Sequence, residues 1–179
     1  MGQVTDLVVK FEPRLRPATG LAGAGEWQAI LGEYCAAVKR LDGVEEEIGR
    51  GLRGLLTDRD GIRVILWVHA ANTRPTRGLV EPLCELLCVR GAYLQREWVA
   101  ELLGEMGDPR AIPALRAACS SEVAGDVCRS LPKRCLSALV AIGTPEACDA
   151  AREQLTSPWP EVREWAAELL IESDDPDQL

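Results

Sequence analysis

Few side chains in this 179-residue sequence have types and spacing suited to chemistry. His69 is the only histidine, so any histidine-assisted nucleophile would have to use it. It sits in LWVHAAN, the most apolar run of the chain, which points to a structural histidine in or beside the core. Cys84 and Cys88 stand four apart and would share one helix face; with His69 or Cys119 they could form a zinc site. Zinc motifs usually bring tight CxxC pairs. None of the seven cysteines (Cys35, Cys84, Cys88, Cys119, Cys128, Cys135, Cys148) has that spacing, and most have apolar neighbours. They read as reduced, small core residues of a cytoplasmic protein. The residues therefore lead to no catalytic group, no metal site and no cofactor.

The elements that hold these side chains follow from composition and period. Hydrophobic residues make up 47% of the chain, but aromatics only 4%. The core must then be built from Leu, Ala, Val and Ile, which suits closely packed helices better than a β-sandwich. The net charge of -8 is concentrated in residues 126–179, where acidic side chains outnumber basic ones by six. Such a chain repels phosphate backbones, since nucleic-acid affinity comes largely from Lys and Arg. A basic or neutral protein is the better partner, although an acidic surface also serves solubility. Met1 to Lys10 lacks a basic segment followed by an apolar one, as a leader would need. No apolar run approaches the roughly 18–20 residues that span a bilayer, so no membrane partner is expected.

Internal repetition is plain. REWVAELL (residues 96–103) returns as REWAAELL (163–170), and eleven residues after each Arg comes GDP (107–109) or DDP (174–176). Between them lies Leu131 to Leu155, whose GTPEA (143–147) aligns with GDPRA (107–111) at an offset of 36. A fainter copy, Gly78 to Leu87, matches Arg110 to Cys119 at an offset of 32. Val162, Ala166, Leu169 and Leu170 form one apolar stripe at helical period, as do Val99, Leu102, Leu103 and Met106. Gly107 suits the left-handed position that ends a helix. Asp108 can cap the next helix with Pro109 in its first turn, and Thr144 with Pro145 repeats the device. Each unit is thus two helices.

These residues resemble the short HEAT-like repeat of phycobilin-lyase-type proteins and many bacterial scaffolds. Val162-Arg163 with Ala166 and Leu170 match its second helix; Gly107-Asp108-Pro109 with Ala111-Ile112-Pro113 and Leu115 match its turn and first helix. The likeness is good from Arg96 to Glu172 and faint from Gly61 to Leu87. It implies an all-α fold, an α-solenoid of HEAT-like helical repeats, over residues 59–179. HEAT-like metal hydroxylases carry several His-Glu pairs, whereas Ala70 follows His69 here. HEAT-like DNA glycosylases need a basic groove, which Trp98, Trp165, Glu101 and Glu168 do not provide. A lyase-type or chromophore-handling role would fit the resemblance, but no spacing marks a bilin pocket.

Residues 1–58 are expected to form an N-terminal arm and helical cap, continuous with the repeats. Val4 to Phe11 reads as an extended arm or short strand closed by Pro13 and Pro17. Gly20 to Gly25 reads as a flexible stretch, with helices over Glu26–Leu41 and Glu45–Leu56 covering the open end. An acidic tail, Glu172 to Asp177, would shield the other end. The resemblance also implies that second helices line a concave binding face. Helical phase then turns Glu164, Ala167, Glu168 and Ile171 outward, with Glu97, Ala100, Glu101 and Gly104, and Lys133, Leu136, Ser137 and Val140, as equivalent sets. Leu136 and Val140 are either an apolar centre within a charged rim or residues buried by the 119–130 connection. The expected function is a non-enzymatic scaffold or adaptor. It would bind a protein partner through Glu97, Glu101, Lys133, Leu136, Val140, Glu164 and Glu168, neutralisation of a basic enzyme being one version.

Overall fold

A computed structural model describes residues 2–17, 24–58, 60–89, 96–121, 126 and 128–173. Most of the expected flexible stretch, the DDP turn and most of the acidic tail lie outside these residues. Ten α-helices follow in order among the described residues: α1 (Gln3–Leu15), α2 (Ala24–Lys39), α3 (Glu45–Gly54), α4 (Gly61–Thr73), α5 (Val80–Cys88), α6 (Arg96–Met106), α7 (Ile112–Cys119), α8 (Ser130–Ile142), α9 (Pro145–Arg152) and α10 (Pro160–Ser173). Each odd helix packs on the even helix that follows it. Odd helices also stack on odd, and even on even, from one end to the other. The result is a two-layer helical solenoid of five pairs, with one core running from Val4 to Leu170. None of its described helices is long and apolar enough to cross a membrane.

The turn chemistry behaves as its residues dictate. Asp108 accepts a hydrogen bond from the Arg110 amide at 3.0 Å, and Thr144 Oγ1 accepts one from Ala147 at 3.3 Å. Gly107 and Gly143 take φ of +62° and +67° where α6 and α8 end. The repeated arginine of REW also acquires a role that sequence reasoning missed. Arg96 Nε donates to the Leu87 carbonyl at 2.7 Å, and Arg163 Nη1 donates to the Ser157 carbonyl at 2.7 Å. Each guanidinium thus ties an even helix to the end of the preceding odd segment, where carbonyls lack partners in their own helix.

The N-terminal segment corrects an expectation. Val4 to Phe11 is neither arm nor strand but the body of α1, and Pro13 lies inside that helix. Its β-branched residues and the proline suggest extended chain, yet Val4, Val8, Phe11 and Leu15 recur at i, i+4, i+7 and i+11 and are all buried. Phe11 meets Tyr34 of α2 edge-on at 5.5 Å. Glu47 of α3 supplies the cap that α1 lacks: its carboxylate accepts from the Thr5 amide and hydroxyl, both at 2.8 Å.

An ion-pair network joins α1 to the start of α4. Glu12 pairs with Arg16 and with Arg63 Nε at 2.9 Å; Arg16 also pairs with Asp60, the N-cap of α4. Burial alone would raise the pKa of Glu12, but hydrogen bonds from Arg16 and Arg63 outweigh it and hold the carboxyl below its usual range. Asp60 is lowered in the same way: burial opposes, and Arg16 with two amides prevails. Groups with depressed folded-state pKa values contribute stability while ionised and lose it on protonation. Stability is therefore expected to fall as pH drops below about 4. Glu12→Gln should lower the melting temperature by a few degrees at pH 7 and by less at pH 3.5, as followed by circular dichroism. An equal loss at both values would sink this assignment.

Candidate functional site

The even helices present a common surface. On α6 the exposed residues are Trp98, Glu101 and Glu105, with Glu97 half-buried beside them. On α8, Arg134 and Ala141 are exposed and Lys133, Ser137 and Val140 half-buried; on α10, Glu164, Glu168 and Ile171 are exposed. Side chains touch across this surface from helix to helix. The His69 ring of α4 meets the Trp98 ring of α6 edge-on at 5.4 Å. Glu101 pairs with Arg134 of α8 at 3.7 Å, and Trp165 Nε1 of α10 donates to Ser137 Oγ at 3.2 Å. Such exposed pairs contribute little to stability, about 0–1 kcal/mol each. Their value is to fix the spacing of groups on the face.

The surface is turned relative to the phase expected from the helical wheel. Glu97, Glu101, Lys133, Glu164 and Glu168 all retain at least partial exposure, but Leu136 is 0% exposed and Val140 is half-buried. Ala100 and Gly104, placed outward with them, are buried too. The cause is repeat stacking. Helix α6 has α4 on one flank and α8 on the other, and α8 lies between α6 and α10. Positions facing those flanks are taken by the neighbours, and Ala100 and Leu136 are both 0% exposed. The free stripe of α6 is narrowed and rotated by about a quarter turn, to 98, 101 and 105. On α10, the last helix described, the expected set stays largely open. Sequence reasoning thus missed Trp98 as a surface residue, and with it His69, Asn72, Glu105 and Arg134.

Between α4 and α6 the surface dips. One depression of about 230 Å³ is lined by Val68, His69, Asn72, Trp98, Glu101, Leu102 and Glu105. A second, of about 400 Å³, shares Asn72, Leu102 and Glu105 with it and ends at Pro75 and Arg77. Together they make one furrow. Burial lowers the pKa of His69, whose Nε2 is enclosed without a hydrogen-bond partner among the described residues, so the ring is neutral at pH 7. The ionised groups that line the furrow beside Trp98 are therefore Glu101, which pairs with Arg134, and Glu105.

No cysteine lines this furrow. Burial, with the Cys88 thiol nearby, pushes the Cys84 thiol up to about 11, so little thiolate forms there. Cys119 and Cys135 are buried side by side in the core, and the contact with Cys119 together with burial raises the Cys135 pKa. Among the described residues no three His, Cys, Asp or Glu side chains are grouped so as to hold a metal ion.

The family model of PBS lyase HEAT-like repeats matches residues 95–121, which span α6, the Gly107-Asp108-Pro109 turn and α7. No curated protein and no solved structure matches the chain. The matched segment is the second helix of one pair joined to the first of the next, the unit whose repetition builds both layers. The chain is thus an all-helical solenoid that carries a PBS lyase HEAT-like repeat.

Proposed function

We propose that this chain is a non-enzymatic scaffold that binds a segment of a partner protein across its even-helix face. The observation that carries the reading is the row of cross-helix pairs, His69 with Trp98, Glu101 with Arg134, and Ser137 with Trp165. They hold aromatic and charged groups at set spacing on an otherwise solvent-facing layer. Five carboxylates of that face, Glu97, Glu101, Glu105, Glu164 and Glu168, outweigh Lys133 and Arg134, which favours a basic partner. Neutralisation of a basic enzyme is one form such binding would take.

The test is affinity capture with quantitative mass spectrometry. A variant with Glu101→Lys, Glu164→Lys and Glu168→Lys is compared with one that reverses Glu46 and Glu146 on the odd helices. All five are exposed, so both variants should melt within about 1 kcal/mol of the parent chain. The even-face variant is expected to lose its partners about tenfold, a change of ~1.4 kcal/mol. The odd-face variant should keep them. Equal capture by both would refute the reading, and a pigment co-purifying with the chain would favour lyase-type chemistry instead.

A further inference from the structure

We propose that the furrow between α4 and α6 is an arginine-recognition subsite, in which a partner's guanidinium stacks on Trp98 and pairs with Glu105 and Glu101. The proposal deepens the scaffold reading and rests on it, since the arginine is supplied by the bound protein segment.

Trp98 is 37% exposed, although the other aromatic side chains among the described residues lie in or against the core. Its ring is not loose, because it is braced edge-on by His69 and opens onto the 230 Å³ depression. A fixed indole face attracts cations through its quadrupole, and arginine does so more often than lysine. Two carboxylates, Glu101 and Glu105, stand one helical turn apart on the same wall. Glu101 is partly engaged by Arg134 at 3.7 Å, a long contact, whereas Glu105 makes no ion pair among the described residues. The neutral His69 adds no charge that would repel a cation.

The geometry favours arginine over lysine. A planar guanidinium stacks on an aromatic ring and presents several N–H donors to two separate acceptors. An ammonium is a compact, strongly hydrated charge that would gain less from the ring face. Beyond Glu105 the furrow runs to Arg77, so its charge changes sign along its length. One cationic side chain is expected at the Trp98 end, with neutral or acidic residues following toward Arg77, rather than a polybasic run.

Selection of a random peptide display library on the intact chain tests this. Enriched peptides are synthesised with arginine or with citrulline, its neutral isostere, and titrated by fluorescence anisotropy. Four proteins are compared: the parent chain, Trp98→Ala, Glu105→Gln and the variant with Glu101→Lys, Glu164→Lys and Glu168→Lys. Expected are peptides sharing one arginine, weakened about tenfold by citrulline and by Trp98→Ala, and severalfold by Glu105→Gln. Glu105 is exposed, so its substitution keeps the test sound should Trp98→Ala disturb packing. Peptides that lose affinity on reversal of Glu101, Glu164 and Glu168 but ignore citrulline would overturn the subsite and leave the scaffold reading standing. Failure to recover any peptide that needs the even face would overturn both.

Discussion

Leu136→Glu is expected to abolish cooperative folding. Leu136 is 0% exposed on α8, a helix packed by α6, α7, α9 and α10. A glutamate there would be ionised without a partner or would titrate to remain neutral, and either course costs several kcal/mol. Domains of this size are stable by about 5–15 kcal/mol, so the substitution removes much or all of the margin. Urea denaturation followed by circular dichroism should show no folded baseline, or a midpoint equivalent to a loss above about 4 kcal/mol. Leu136→Met should cost less than about 1.5 kcal/mol and Leu136→Ala about 2–5 kcal/mol, a ranking set by volume and polarity together. Val140→Glu, at a half-buried position, should fold with a loss of roughly 1 kcal/mol. If Leu136→Glu instead melted like the parent chain, Leu136 would have to face solvent, and the rotation of the binding face would be wrong.

That rotation shows where sequence reasoning reached its limit. The repeat, its apolar stripes and its turns were legible because each is local: Gly107, Asp108, Pro109, Thr144 and Pro145 act through their own backbone neighbours. The helical wheel assumes that a helix has one buried side. In a solenoid each inner even helix has its odd partner beneath it and a repeat on each flank, so three sides are taken. The composition hints at this after the fact. Ala100 and Gly104 are small where a surface would tolerate any polar residue; both are buried, and at Gly104 the backbone of α8 comes close. The N-terminal segment went astray for another reason. Its valines and proline suggest an extended chain, but propensity is a weak prior beside a stripe that can be buried. Glu47, which caps α1, lies 42 residues from Thr5 and leaves no local signature. The candidate site was half legible: Glu101, Glu164 and Glu168 could be placed from phase, whereas Trp98, His69 and Glu105 meet only through the stacking of α4 on α6.

Two glycine-to-alanine substitutions are expected to act with opposite sign. At Gly32, in the middle of α2, an added Cβ would meet nothing within 4 Å, and the residue is exposed. Gly32→Ala should therefore stabilise the chain by roughly 0.5–1 kcal/mol, the ordinary gain in helix propensity. At Gly104 the added atom would lie 2.8 Å from Ala138 Cα and 2.9 Å from its Cβ. A backbone carbon cannot rotate away, so α6 and α8 must separate at this point. Overpacking of this kind costs about 1–3 kcal/mol and exceeds the propensity gain, making Gly104→Ala net destabilising. Gly104→Leu should cost several kcal/mol more by the same route. Ala138→Gly in the Gly104→Ala background removes the 2.9 Å contact but leaves the 2.8 Å one, so rescue should be partial in a double-mutant cycle. Full rescue would mean that side chains alone set the spacing, and stabilisation by Gly104→Ala would mean the helices are not so close. The same displacement should carry Glu101 away from Arg134, already at 3.7 Å, and change the even face. Gly104→Ala is thus expected to weaken partner binding as well as stability, whereas Gly32→Ala raises stability and leaves binding as it was.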